Sequence, residues 1–180
     1  MAEFFLESEH LIMRGWRSDD LDAFHAINND PKVRETLGPL MTREQVADLI
    51  GRMQKLQAKD GCCFWALDRK SDDRLIGWCG MIRGSHAPIL DKLEIGWRLG
   101  SDMWGNGYIT EAAKKCIQWA SLQYPDEQIW AITSENNRRS RAVMERLDMI
   151  YLPELDFDHP SVDPESDLLR HVTYCTERNQ

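Results

Sequence analysis

The sequence predicts an α/β domain around a mixed sheet. Three observations carry this. Apolar positions switch between a period near two and a period near 3.6 along the chain. Two strand-like runs, Cys62–Asp68 and Leu75–Arg83, are joined by a short polar turn at Lys70–Arg74, which marks a hairpin. A strand, a helix and a second strand then follow each other between Leu93 and Thr133, the pattern of a crossover.

The elements read in order as β-α-α-β-β-β-α-β-α-β-β. Leu11–Gly15 suits a first strand. Ser18 is placed to cap a helix bearing Leu21, Phe24 and Ile27, and Asn29-Asp30-Pro31 stops it. Thr42–Lys59 reads as the second helix, with Thr42 and Gln45 spaced as a capping box and Asp60-Gly61 ending it. Leu93–Leu99 is the strand after the hairpin. A helix runs to about Gln123 with Ile109, Ala112, Ala113, Cys116, Ile117 and Ala120 as its apolar stripe. Gln128–Thr133 is a strand and Arg138–Leu147 a helix. Two strand-like runs close the chain near Met149–Leu152 and Leu169–Tyr174. Trp16, Trp65, Trp78, Trp119 and Trp130 are expected in the core, with Trp97 and Trp104 beside a cleft.

Composition narrows the function. The 180 residues fit one domain, 1–180, and carry a net charge of −8. That balance argues against nucleic acid, which needs clustered Lys and Arg. No window approaches the ~18 apolar residues of a membrane helix, so no membrane partner and a cytoplasmic location are expected. The five cysteines, 62, 63, 79, 116 and 175, have no metal-ligand spacing. They read as reduced structural residues, and no metal site is expected.

The run WGNGYITEA, Trp104–Ala112, places Gly105, Asn106 and Gly107 between a strand and a helix. Glycines let a ligand approach the backbone, and the first helical amides have no internal partner. Such a site binds phosphate without a lysine. A P-loop is excluded because Tyr108 and Ile109 follow Gly107. A dinucleotide loop is excluded because Thr110 fills the third glycine position. A plain turn into a helix remains the alternative.

The run EIGWRLGSDMWGNGYITEAAKKCIQWA, Glu94–Ala120, resembles the acyl-CoA loop of the GNAT acetyltransferase superfamily, most of all its RimJ/RimL-like branch. ENNRRSRAVMERLDM, 135–149, and LIMRGWRSDDLDAFHAINNDPKV, 11–33, are similar to flanking segments of that branch, as are FDHP and LLRHVTY at 157–160 and 168–174. The resemblance implies a mostly antiparallel sheet, about four helices and strands that splay at a coenzyme cleft. It implies acetyl-CoA as co-substrate, with backbone of Gly105, Asn106, Gly107, Tyr108, Ile109 and Thr110 at the pyrophosphate. It places the backbone of Trp97 and Leu99 along the pantetheine arm, with the Asn137 side chain nearby and Ser140 facing the same cleft. Trp104 and Ile109 depart from the usual residues, and Asp148 stands where a glycine is common. Met144 fills the position of a tyrosine that protonates the leaving thiolate.

The implied reaction is acetyl transfer to a primary amine, of a peptide N-terminus or a small molecule, by direct attack in a ternary complex. Glu94 is the candidate base and Ser140 a candidate hydrogen-bond donor to the leaving group. His159 and His171 are rival bases. The alternative is an acyl-CoA sensor or interaction module without turnover. Residues 153–167 hold six acids and no Lys or Arg, and read as a solvated loop or an acidic rim for a cationic amine. The assembly is expected to be a monomer or homodimer.

Overall fold

The computed structural model describes residues 4–177. Nine strands form one sheet, in the order β1-β2-β3-β4-β5-β6-β9-β7, with β8 also on β9. The strands are β1 (Phe5–Glu7), β2 (Leu11–Arg14), β3 (Phe64–Arg69), β4 (Arg74–Arg83), β5 (Leu93–Leu99), β6 (Ile129–Ser134), β7 (Ile150–Tyr151), β8 (Phe157–Asp158) and β9 (Arg170–Cys175). The helices are α1 (Asp20–Asn28), α2 (Pro31–Arg34), α3 (Arg43–Asp60), α4 (Tyr108–Gln123) and α5 (Arg138–Arg146). All pairings are antiparallel except β5 with β6, as a helical crossover requires.

The sequence reading misses β1 and β8, which are too short to show a period. It also misjudges the entry and exit of α1. Ser18 does not cap it; Asp19 holds that position and makes no side-chain cap bond. The neighbouring Asp20 carboxylate accepts from the Arg17 amide and from Arg14 instead. Pro31 ends one helix and opens another: it is the first residue of α2, where its missing N–H costs nothing, and Asp30 caps that helix through the Lys32 amide.

Both faces of the sheet are covered. On one face α4 lays Ile109, Ala112, Ala113, Cys116 and Ala120 against it. These small residues let the helix approach closely, and Cys116 Sγ sits 3.5 Å from Met13 Sδ and 3.8 Å from Cys79 Sγ. On the other face α1 and α3 pack over β4, with Phe24, Val46, Ile50 and Met53 buried. Thr42 and Gln45 exchange both bonds of a capping box at the start of α3, and Gly61 closes it at φ +73°. Trp16, Trp65 and Trp78 are buried, but Trp119 and Trp130 are only half-buried. Lys92 Nζ stands 3.5 Å over the Trp130 ring. All five cysteines are free and buried.

A buried ion cluster joins β2, β3 and α1. The Arg14 guanidinium donates to both oxygens of Asp20, each at 2.8 Å, and to both of Asp68, at 2.5 and 2.9 Å. Of the acids of 153–167, Asp156, Asp158 and Asp163 take part in local bonds, and most of the six are exposed. Asp156 accepts from the Tyr151 hydroxyl and the Thr173 amide, and Asp158 faces Arg170. Asp148 adopts φ +56°, so the turn keeps the left-handed geometry that a glycine would supply.

Candidate active site

The sheet opens between β5 and β6. The two strands pair only at Leu93↔Ile129 and Glu94↔Trp130, whereas β5 pairs with β4 over seven residues. Beyond the foot of this V, the β6-facing edge of Ile95–Leu99 and the β5-facing edge of Ala131–Ser134 are not bonded to each other. A cavity of about 980 Å³ lies beside the open end of β5. Its walls come from α2 and the turn after it, the end of β5, the loop into α4, and α5.

Cross-strand pairing assigns the two faces of β5. Trp97 lies opposite Cys79, whose sulfur touches Cys116 of α4, so Trp97 and Leu99 share the α4 face. Arg98 lies opposite Trp78, and its Nη1 donates to Asn28 Oδ1 at the end of α1. Glu94, Gly96 and Arg98 therefore share the opposite face. A Cβ on Gly96 would meet the Phe64 ring at 2.8 Å, and that ring stacks on Trp78.

The loop into α4 is shaped by two left-handed glycines, Gly105 at φ +80° and Gly107 at φ +78°. Gly107 occupies the N-cap and supplies no side chain to the first turn. The opening amides of α4 are thus free of a side-chain cap, and they carry the positive end of the helix dipole. Tyr108, Ile109 and Thr110 line the cavity with Gly105, Gly107 and Trp104. Asn106 does not line it. Its side chain folds back to donate to the carbonyls of Met103 and Trp104 and holds the turn in shape.

Trp97, Leu99, Asn137 and Ser140 also line the cavity. Trp104 Nε1 donates to the Leu99 carbonyl at 3.1 Å, so that carbonyl already has a partner. Asn137 is 5% exposed and its amide is engaged twice: Oδ1 caps α5 through the Ser140 amide, and Nδ2 donates to Thr133 Oγ1. The Ser140 hydroxyl has no hydrogen bond among the described residues. Met144 is buried and does not line the cavity.

Glu94 stands at the foot of the V and is not part of the cavity lining. It makes no ion pair among the described residues, and burial alone pushes its carboxyl up to about 7. His159 and His171 lie elsewhere. They pack with His86 near β8 and β9, His159 Nε2 being 3.1 Å from His86 Nε2, and neither lines the cavity. Desolvation, helped by the other two rings, lowers His159 to about 4.

The sequence reading passes over the basic lining. Lys32, Arg98, Lys114, Arg138, Arg139 and Arg146 face a single carboxylate, Glu111, in a chain of net charge −8. That carboxylate is engaged by Ser8 and His10 of the β1–β2 turn. Arg139 stacks over Trp104 with its guanidinium carbon 4.2 Å from the ring centroid. Among the described residues no group of His, Cys, Asp and Glu could hold a metal ion, and no helix is long and apolar enough to cross a membrane.

Comparison with known proteins agrees with this architecture. Residues 10–150 match the Acetyltransferase (GNAT) domain family, and the chain belongs to it. The uncharacterized N-acetyltransferase p20 of Bacillus licheniformis is 27% identical over 146 residues, which cover 79% of this chain and 80% of that protein. The fold is similar to a GNAT-family acetyltransferase from Bacillus anthracis, with a TM-score of 0.77 and 20% identity over 96% of this chain and 98% of that one. It is also similar to RimL, a ribosomal L7/L12 alpha-N-protein acetyltransferase solved with coenzyme A. There the TM-score is 0.79 at 13% identity, over 96% of this chain and 97% of that one. The protein is therefore an acetyltransferase enzyme.

Proposed function

We propose that this enzyme, a single domain over 1–180 of the RimJ/RimL-like branch, moves an acetyl group from acetyl-CoA to a primary amine. The amine attacks directly while both substrates are bound. One observation carries the reading: the uncapped N-terminus of α4 opens onto a cavity that also takes in the end of β5, the strand that parts from β6, and the start of α5 just after β6.

The residues present fit such a coenzyme. Amides from Gly105 to Thr110 suit the pyrophosphate, and Lys114, Arg138, Arg139 and Arg146 surround it with positive charge. The open edges of β5 and β6 offer backbone groups to a pantetheine arm, in the manner of an added strand. The amide of Trp97 or its neighbours would donate to the thioester oxygen as charge develops there.

Glu94 takes the amine proton. With a pKa of about 7 it is a fitting base at neutral pH, and its place outside the cavity lining calls for a bridging water. Ser140, with its free hydroxyl, donates to the departing thiolate. That leaving group needs little help, since a thiol has a pKa of about 8.5. The protein is read as a cytoplasmic monomer or homodimer. The acceptor is a peptide N-terminus, as the name of RimL suggests, or a small amine. The burial of Met144 favours a second reading, an acyl-CoA sensor, because no tyrosine acid stands there.

Calorimetry with acetyl-CoA and thiol release against an amine panel separate the two readings. Binding without turnover of any amine selects the sensor. Asn106→Pro removes one loop amide and is expected to weaken acetyl-CoA binding roughly tenfold. Asn106→Ala serves as its control, because it removes only the bonds to Met103 and Trp104. Equal affinities for both variants would disprove an anion site at this loop.

A further inference from the structure

We propose that the acceptor amine carries an anionic group, a carboxylate or a phosphate, that docks on Arg98. This rests on the acetyl-transfer reading and names the substrate class of the same cavity.

Arg98 stands on the far side of β5 from the α4 loop. Its neighbours Trp97 and Leu99 turn to α4, whereas Arg98 reaches the end of α1 and lines the cavity together with Lys32 and Val33 of α2. With coenzyme on the α4 side, the α2 side is where an acceptor meets the strand. Glu94 lies on this same face.

Arg98 is half-buried with its Nε enclosed, and a guanidinium stripped of much of its water is normally matched by a carboxylate, because that desolvation is costly unless an anion compensates. Arg14 of this chain has two such partners. Arg98 has none among the described residues. Its hydrogen-bond partner is the neutral amide of Asn28. Desolvation, with Arg34 adding repulsion, lowers Arg98 to about 9. Its Nε is buried without an acceptor, and so is Nε1 of Trp78, the residue directly across the ladder. These are the two buried side-chain atoms that lack a partner among the described residues, and both are N–H donors. The guanidinium carbon lies 5.5 Å from the Trp78 ring centroid, so the two form one cluster.

A purely structural role for Arg98, fastening β5 to α1, needs only a neutral donor to Asn28. It does not account for an unmatched charge beside a second arginine, nor for two donors without acceptors. A carboxylate or phosphate in the cavity would match the charge of Arg98, which lines it, and its geometry suits the planar fork of arginine; Trp78 lies behind Arg98 and does not line the cavity. The acidic segment 153–167 lines no part of this cavity, so it offers no counter-site for a cationic amine there.

The test uses matched pairs of amines. Free amino acids are compared with their carboxamides, and phosphoethanolamine with ethanolamine, by thiol release at saturating acetyl-CoA. The anionic member is expected to have the higher kcat/KM by about tenfold or more, and the two arms tell carboxylate from phosphate. Arg98→Gln, which keeps a donor for Asn28, is expected to bring that ratio toward one, mainly by raising KM for the anionic member. Equal or reversed preference in the wild type overturns the proposal. So does a loss in Arg98→Gln that is equal for both members, or an enzyme that binds acetyl-CoA and acetylates no anionic amine. Should Arg98→Gln fail to fold, the wild-type preference decides. Failure to bind acetyl-CoA at all would instead overturn the transfer reading on which this stands.

Discussion

At Glu94, burial without a cation makes a carboxyl resist ionisation up to about pH 7. That has a stability consequence with a definite sign. The folded-state pKa lies above the unfolded one, so stability is full below the ordinary carboxylate range and declines as pH rises toward 7 and beyond. Glu94→Gln is therefore expected to melt higher than the wild type at pH 8, by on the order of 1–3 kcal/mol, with no gain at pH 4. The same substitution is expected to lower kcat by about a hundredfold if Glu94 is the base, without changing acetyl-CoA affinity. Retained activity would remove Glu94 from the chemistry while leaving the stability argument intact. The family resemblance of EIGWRL singled out Glu94, but only the sheet pairing shows that it sits at the foot of the gap. The reverse holds for Arg98. Nothing in EIGWRL marks it, because its meaning comes from Asn28 and Trp78, distant in sequence and brought together by the sheet.

The elements that were legible in the sequence are those whose ends carry their own chemistry. Helix α3 is bounded by Thr42 and Gln45 at one end and Gly61 at the other, and the structure uses all three. Thr42→Ala is expected to cost about 1 kcal/mol in urea unfolding and to leave acetyl-CoA affinity unchanged. A cost near zero would mean that the α3 terminus is held by packing and not by its cap. Helix α4 was legible for a different reason, its unbroken stripe of small apolar residues. Helix α2 was hidden because Pro31 is at once a stop signal and a good first helical residue. That omission mattered: α2 and the turn after it form one wall of the cavity, about sixty residues upstream of the strand they face. Strands β1 and β8, three and two residues long, offered no period to read.

Across the whole molecule, the N-terminal half is fastened by Arg14, which ties β2, β3 and α1 through two buried carboxylates. Arg14→Leu leaves both acids buried and uncompensated, and is expected to cost about 3–5 kcal/mol by denaturant unfolding. A loss below about 1 kcal/mol would show that the acids protonate or reach water at little cost. Charge is also arranged on this scale. The chain is acidic overall, yet it gathers six cations around one cavity, an arrangement that draws a polyanion to one place on an otherwise repelling surface.

The two-residue contact between β5 and β6 makes the sheet a pair of panels sharing one short seam. The strands before the seam and those after it are each well laddered, but little backbone bonding runs from one panel to the other. A ligand lying in the gap would act as the missing strand and stitch the panels together. Occupancy should then register as slower amide hydrogen exchange along the facing edges of 95–99 and 131–134, with β3 and β4 unaffected. On the proposed reading the coenzyme is a temporary part of the architecture, and each turnover ends by unstitching the panels beyond the two-residue contact that still holds them.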